Sequence, residues 1–247
     1  MPGYLYVLRR KRERTVSKIL LIFRKDLLVE WRSKQIFPTM FVFSLLLLLV
    51  FNVAFEFRSD VNFRTVSAVV WITFIFSGLL ALGRSFSLEK ENNAFAFLLL
   101  TPVSRSYIYL GKLLSNVVMV LLSELFILPL FFLFFLFDAK GISLSLTGAI
   151  LPFLGVTVLG TIGFVSLGTF FSSMALNTKL RDMMLPLLVF PLIIPVVITS
   201  VGICSSILEG RPFGYYAFSL QVLVSFDIIF VLLCSLLFEY LIEDSGD

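Results

Sequence analysis

The chain has 247 residues, of which 59% are hydrophobic and 15% charged, and its mean hydropathy is +1.02. A soluble domain of this size does not need so much apolar surface, so the composition indicates a membrane protein with several spans. The sequence contains no histidine, which excludes the usual imidazole sites for zinc and haem. Its two cysteines, Cys204 and Cys234, lie in separate predicted spans, and no disulfide is expected between them.

Positive charge is concentrated near the N-terminus, where eight of the first 25 residues are Lys or Arg. Nucleic acid can bind such a cluster, but beside a series of membrane spans a role in topology and lipid binding is favoured. Residues 1–16 are expected to form a flexible basic segment. They are not expected to be a signal peptide, because the apolar run Tyr4–Leu8 is too short for its core.

Residues 17–35 have the pattern of an amphipathic helix. Leu20, Phe23, Leu27 and Trp31 recur at spacings of three and four, with basic residues away from this stripe. Because the segment is basic, aromatic and interrupted by charges, it is expected to lie in the membrane interface rather than to cross the bilayer.

Six apolar runs follow, each near the length of about 20 residues that crosses a hydrocarbon core of about 30 Å. They are expected at residues 38–55, 66–83, 113–137, 146–171, 183–203 and 218–239. The predicted fold is therefore an all-α membrane protein, with a transmembrane domain over residues 36–242 and an acidic tail over 243–247. If the N-terminus is cytoplasmic, sixteen Lys and Arg lie in cytoplasmic segments and four in external segments. Because cytoplasmic segments of membrane proteins carry an excess of Lys and Arg, this orientation is predicted, and with six spans it makes both termini cytoplasmic.

A charged interval, residues 84–112, separates the second predicted span from the third. It is predicted to be a cytoplasmic platform, with a short helix around 86–100 that stops at Thr101-Pro102 because proline cannot continue a helix. The predicted helix combines charged residues with a run of apolar residues, and this combination is more typical of a docking surface than of a solvated linker. The residues expected to dock a partner are Phe86, Glu89, Lys90, Glu91, Phe95, Phe97 and Leu98.

The fourth and fifth spans have unusual compositions. Small residues such as Thr161 and Gly168 recur in the fourth, and they would let neighbouring helices approach closely. The fifth carries Pro186, Pro191 and Pro195, which remove backbone hydrogen bonds, so this helix is expected to bend or break.

Two carboxylates lie deep within predicted spans, Glu124 in the third and Asp227 in the sixth. Charges in hydrocarbon are costly, and no Lys or Arg is predicted at similar depth, so each group is either protonated or hydrogen-bonded. Ser123 and Ser225 are the local partners that the sequence offers, and a structural role is favoured over a place on a transport path. The sequence contains no phosphate-binding loop and no catalytic motif, so the chain is not expected to be an enzyme.

Four stretches, in order along the chain, carry a resemblance to a known family. They are Arg24-Lys25-Asp26-Leu27 with Glu30 and Arg32, then Phe97–Pro102 with Gly111-Lys112, then Gly160-Thr161 with Gly163, and last Leu185–Pro195. The set resembles the CcmB family, the haem exporter protein B family of cytochrome c maturation, whose members have the ABC-2-type permease fold. Asn93 and Ala96 depart from the family, which usually has a Gly and an acidic residue at these two positions of the platform. On the interfacial helix, the candidate site residues are Arg24, Asp26, Glu30, Trp31 and Arg32.

The resemblance implies a permease subunit of the bacterial inner membrane that works with a separate CcmA-like ATPase, docked on the cytoplasmic platform. It further implies two permease copies or a permease pair, CcmC-like and CcmD-like membrane partners and a haem chaperone. ATP hydrolysis in the partner would drive haem delivery or release of the haem-loaded chaperone. This chain would bind no cofactor itself, and haem would be handled by the complex.

Two alternatives stay open at this stage. One is an ABC-2-type permease that exports a lipid, a glycan or a drug. The other is a stand-alone secondary transporter that uses Glu124 and Asp227.

Overall fold

The computed structural model describes residues 18–32, 36–56, 62–91, 103–135, 146–174 and 181–244, and these residues contain seven α-helices and no strand. The helices are α1 (18–32), α2 (Ile36–Glu56), α3 (Phe63–Glu91), α4 (Arg105–Phe135), α5 (Leu151–Met174), α6 (Arg181–Leu208) and α7 (Phe213–Asp244). A π-helical turn, Leu146–Ile150, leads directly into α5.

Helices α2 to α7 are each long and apolar enough to cross a membrane, which confirms the predicted all-α membrane fold. Within the described residues, the six spans are Ile36–Phe55, Phe63–Ser85, Arg105–Phe135, Gly148–Met174, Leu185–Leu208 and Phe213–Tyr240. The protein is therefore a multi-pass membrane protein.

Helices α3 and α5 form the centre of the bundle. In their most apolar stretches 72% and 56% of the residues are buried, compared with 22% in α2 and 17% in α7. Helix α5 packs against α3, α4, α6 and α7. Its small residues permit this: a Cβ atom at Gly160 would lie 2.7 Å from Trp71 Cζ3 and 2.8 Å from Ser200 Oγ. The predicted close packing around the fourth span is present.

The second span and the start of the platform form one continuous helix. The sequence prediction ends the span at Gly83 and begins a separate helix near Phe86, whereas α3 continues without a break to Glu91. A single interior glycine costs a helix only about 1 kcal/mol, and no proline follows before Pro102. The membrane helix can therefore extend beyond the apolar stretch.

The third span begins earlier than its apolar pattern indicates. It is predicted to start at Leu113, but α4 starts at Arg105, where the backbone N–H groups of Tyr107 and Ile108 bond to the Ser104 carbonyl. Lys112 consequently belongs to α4 rather than to a separate segment before the third span. It is a buried residue two turns into a membrane helix.

Helix α6 is not broken by its prolines. It continues through Pro186, Pro191 and Pro195, so of the predicted bend or break, the break does not occur. Each interior proline removes a backbone hydrogen bond worth about 1 kcal/mol. The buried face of α6, which includes Val189 and Ile193, packs in the core, and this packing offsets the loss.

Several predicted features lie outside the described residues. These are the basic N-terminus (1–16), the platform residues 92–102 with Phe95, Phe97 and Leu98, and the end of the tail (245–247). Phe86, Glu89, Lys90 and Glu91 belong to α3, but their side chains are not among those described.

Candidate functional site

Helix α1 turns one narrow face toward the bundle. Ile22, Asp26 and Glu30 are spaced four residues apart, so they lie on one side of the helix, and Ile22 and Glu30 are buried. The opposite side is exposed and carries large apolar residues, with Trp31 at 79% and Leu20 at 55%. These two members of the predicted apolar stripe are therefore available to the membrane interface, as an interfacial helix requires.

The first contact of α1 with α4 is a close approach at Gly111. A Cβ atom added to Gly111 would lie 2.8 Å from Ile22 Cβ and 3.2 Å from the Ile19 carbonyl oxygen. Such distances leave no room for a side chain. Gly111 thus allows the backbones of the two helices to approach each other.

The second contact is an ion pair between Asp26 and Lys112. Lys112 Nζ lies 3.8 Å from Asp26 Oδ2, and the two side chains are only 4% and 15% exposed. The hydroxyl of Ser115 lies 3.5 Å from the same carboxylate oxygen. The other oxygen of Asp26 is 2.9 Å from Lys25 Nζ, which is 41% exposed. A buried ammonium group is costly unless negative charge lies close to it, and Asp26 supplies such a charge to Lys112.

The third contact joins α1 to the beginning of α2. Glu30 Oε1 accepts the backbone N–H of Ile36, the first residue of α2, at 3.2 Å. This satisfies one of the donors that a helix start leaves without an intrahelical partner, and it places negative charge at the positive end of the helix dipole. One side of α1 is thereby fastened to two membrane helices.

These contacts surround a small polar cavity between α1, α3 and α4. Its volume is about 30 Å³, enough for a water molecule, and its polar lining comes from Asp26, Glu30, Ser85, Ser115 and Asn116. We call the three contacts and this cavity the α1–α4 junction. It comprises Ile22, Asp26, Glu30, Ile36, Gly111, Lys112 and Ser115.

Glu124 lies deeper in α4 and bonds to the central helix. Both of its carboxyl oxygens are within hydrogen-bonding distance of the Thr161 hydroxyl of α5, at 2.9 and 2.8 Å. The local partner offered by the sequence, Ser123, does not take this role. Among the described residues, its hydroxyl has no hydrogen-bond partner.

Asp227 in α7 is buried against a different side of α5. A Cβ atom at Gly163 would collide with the Asp227 carboxyl and lie 3.3 Å from Val196 of α6, so the carboxyl sits where three helices meet. Within the part of the chain that the structure describes, neither of its oxygens has a hydrogen-bond partner. The hydroxyl of Ser225 instead donates to the Gln221 carbonyl, so the local pairing considered from sequence does not form.

The structure brings together residues that the sequence prediction assigned to separate features. Asp26 pairs with Lys112, and Ile22 packs on Gly111, although the prediction placed Asp26 on an interfacial helix and Gly111-Lys112 in a platform. Arg24 and Arg32 are exposed on α1 and take no part in the junction. The α6 prolines do not line its cavity.

Two polar contacts were missed from sequence. Thr161 and Lys112 both lie in stretches that resemble the family, but neither was expected to pair with a carboxylate. For Lys112 a signal was present: a single Lys in an otherwise apolar helical run needs a buried acid. For Thr161 no comparable signal distinguishes it from the other hydroxyls of α5.

A family model described as CcmB protein matches residues 17–243. The chain belongs to the CcmB family. Two proteins named "Heme exporter protein B" are similar to it. The one from Rhodobacter capsulatus is 27% identical over 142 residues, covering 57% of this chain and 61% of that protein. The one from Pseudomonas aeruginosa is 26% identical over 193 residues, covering 78% of this chain and 82% of that protein.

Membership in CcmB confirms the resemblance carried by the four sequence stretches. The match includes all of α1 to α6 and nearly all of α7, so the α1–α4 junction and both intramembrane carboxylates lie inside the family's region. The alignment with the Rhodobacter protein spans less than two thirds of that protein.

Proposed function

We propose that this CcmB-family chain is the permease subunit of an ABC transporter complex for cytochrome c biogenesis in the bacterial inner membrane. The match over residues 17–243 and two similar proteins named "Heme exporter protein B" support the proposal. The sequence has no phosphate-binding loop, so ATP is bound and hydrolysed by a separate, CcmA-like ATPase. The permease itself is non-catalytic.

The observation that carries the proposal is the α1–α4 junction. A transporter driven by an external ATPase needs a mechanical path from its cytoplasmic surface to its membrane helices. Ser85 of α3 lines the same cavity as Asp26, so α1 lies beside the part of α3 that continues toward the predicted docking segment. A force applied at this end of the bundle reaches α4 through the Asp26–Lys112 pair.

The remaining partners follow from the same proposal. The ATPase docks on residues 86–100, and the sixteen-to-four distribution of Lys and Arg places this segment and both termini on the cytoplasmic side. Two permease copies or a permease pair, CcmC-like and CcmD-like subunits and a haem chaperone complete the complex. ATP hydrolysis drives haem delivery or release of the loaded chaperone, and this chain holds no cofactor of its own.

Deletion of the gene tests the proposal. In the deletion strain, c-type cytochromes detected by their covalently attached haem should be lost, whereas b-type cytochromes should persist because their haem is not attached through this system. Expression of the wild-type chain should restore the c-type set. Unchanged c-type cytochromes, together with a defect in lipid, glycan or drug export, would contradict the proposal and favour a different ABC-2-type permease.

A further inference from the structure

We propose that the exposed face of α7 is a docking surface for a transmembrane helix of another subunit, and that this helix presents an amide or hydroxyl group to Gln221. The inference deepens the proposed function, because the partner is a further membrane subunit of the same complex. It names the surface of this chain that the subunit covers and the chemistry by which the two helices recognise each other.

The exposed face is a continuous stripe along α7. Only 17% of the most apolar stretch of α7 is buried, the smallest share among the six described spans. Exposed residues recur along it at spacings of three and four, which is the repeat of a helix that packs lengthwise on another helix. These residues are Tyr215, Phe218, Val222, Ser225, Ile229, Leu232 and Leu236. By its apolar members alone, the stripe could be covered by lipid chains or by a helix.

The side-chain amide of Gln221 distinguishes between these two coverings. Gln221 is exposed at the edge of the stripe, and within the described residues its side chain has no hydrogen-bond partner. The other side-chain amides of the described spans are bonded inside the chain. Asn52 donates to the Phe134 carbonyl, and Asn116 donates to the Thr169 hydroxyl, both at 3.0 Å. Lipid chains offer an amide no hydrogen bond, whereas polar side chains bond across neighbouring membrane helices.

The position of Gln221 along α7 places its amide within the hydrocarbon region. The span Phe213–Tyr240 has 28 residues and is about 42 Å long, so Gln221 lies about 8 Å from its middle along the helix axis. With the span centred in the bilayer, hydrocarbon extends about 15 Å to each side of this middle. The neighbouring Ser225 hydroxyl is already satisfied, because it donates to the Gln221 carbonyl at 2.8 Å. The amide of Gln221 is therefore the group that a partner helix must satisfy.

The register of the stripe favours a different chain over a second copy of this one. Membrane helices mostly pack with the left-handed geometry of coiled coils, in which a residue flanking the stripe faces a residue flanking the partner's stripe. In a symmetric pair of α7 helices, Gln221 would face Phe226 of the second copy. Phe226 stacks on Phe230 with 4.1 Å between ring centroids and offers no hydrogen bond. Self-pairing would leave both amides unsatisfied.

The first test identifies the helix on this surface. A benzophenone amino acid replaces Val222 in the full chain, and membranes that contain the whole complex are irradiated. The main protein adduct should map to a transmembrane helix of another subunit, with an amide or hydroxyl residue beside the attached position. The matched control carries the benzophenone at Val50 of α2, which is also exposed and lies about 7 Å from the middle of its span, and it should not give that adduct. Adducts with a second copy of the chain, or with lipid alone, would overturn the proposal.

The second test removes the hydrogen bond and keeps the size of the side chain. In Gln221→Leu the chain should insert in normal amounts, but the yield of the adduct at Val222 should fall about fivefold. The matched control is Ser225→Ala, which removes a hydroxyl that bonds within its own helix and should leave the yield unchanged. Gln221→Asn keeps the amide on a shorter side chain and should retain more of the adduct than Gln221→Leu. An unchanged yield in Gln221→Leu would overturn the proposal, and so would loss of the inserted chain, because the amide would then serve the fold of α7.

The outcomes also separate this inference from the proposed function. If the wild-type chain does not restore c-type cytochromes in the deletion strain, the proposed function fails, whereas the adduct at Val222 reports only on the surface of α7. If c-type cytochromes are restored but the adduct is a second copy, is lipid alone or does not respond to Gln221→Leu, only the docking surface fails.

Discussion

The packing of α5 gives a sharp prediction, because this helix contains two glycines in opposite environments. At Gly160 an added Cβ would lie 2.7 Å from Trp71 Cζ3, and closer still to the end of that ring. At Gly155, among the described residues, no atom other than the backbone of its own helix and its chain neighbours lies within 4 Å of such an added Cβ. Substitution by alanine therefore introduces one methyl group into a filled site and one into an open site on the same helix.

The surroundings of Gly160 cannot yield easily. Trp71 is buried, its Nε1–H donates to Cys204 Sγ at 3.4 Å, and its ring packs edge-to-face on Phe74 with 5.9 Å between centroids. Forcing a methyl group into such a site costs about 1–3 kcal/mol. Both variants gain up to about 1 kcal/mol of helix propensity, so this gain cancels between them. We expect Gly160→Ala to be about 1–3 kcal/mol less stable than Gly155→Ala, which corresponds to a Tm about 2–12 °C lower.

The buried cysteines supply the assay. Cys204 and Cys234 are both free and buried, so a thiol-reactive dye should label them only as the bundle opens on heating in detergent. Cys204 contacts Trp71 and therefore reports directly on the substituted site. A Tm for Gly160→Ala equal to or above that of Gly155→Ala would refute the packing argument.

The remaining predictions concern the carboxylates, the topology and the docking segment. Glu124→Gln should fold and retain activity, because an amide oxygen still accepts a hydrogen bond from the Thr161 hydroxyl. Asp227→Asn should also fold and retain activity. If either variant folds but is inactive, the replaced carboxylate lies on a proton or substrate path. In intact cells lacking the native cysteines, an impermeant thiol reagent should label Lys140→Cys and not Lys90→Cys; labelling of the latter would reverse the topology. Phe97→Ala should reduce ATPase co-purification by about 2 kcal/mol or more of binding free energy without altering membrane insertion; a loss of thermal stability with an intact complex would assign Phe97 to the permease's own packing.

The six spans were predictable because length and apolarity alone decide whether a segment crosses a bilayer. The ends of the spans were less predictable. Lys112 was assigned to the platform segment before the third span, but α4 already begins at Arg105, and Lys112 pairs with Asp26 of α1. The α6 prolines were expected to bend or break the helix, but α6 is continuous from Arg181 to Leu208 and buries one face in the core.

The partners of the polar groups could not be read from sequence. Glu124 bonds Thr161, 37 residues away, rather than its neighbour Ser123. Asp26 lies 89 residues from Ser115, which its carboxylate contacts. Such pairs depend on which faces of the helices meet, and helix periodicity does not determine this. The residues of α1 were recognised from their resemblance to the family, but their shared contact surface on α4 emerged only from the fold.

Purification of the tagged chain in mild detergent, with identification of every co-purifying subunit, tests whether the chain is a permease driven by a separate ATPase. An ATPase should co-purify in stoichiometric amount, together with haem-handling membrane proteins. A chain that purifies without any ATPase, yet carries out its function alone in reconstituted vesicles, would show that it is not such a subunit.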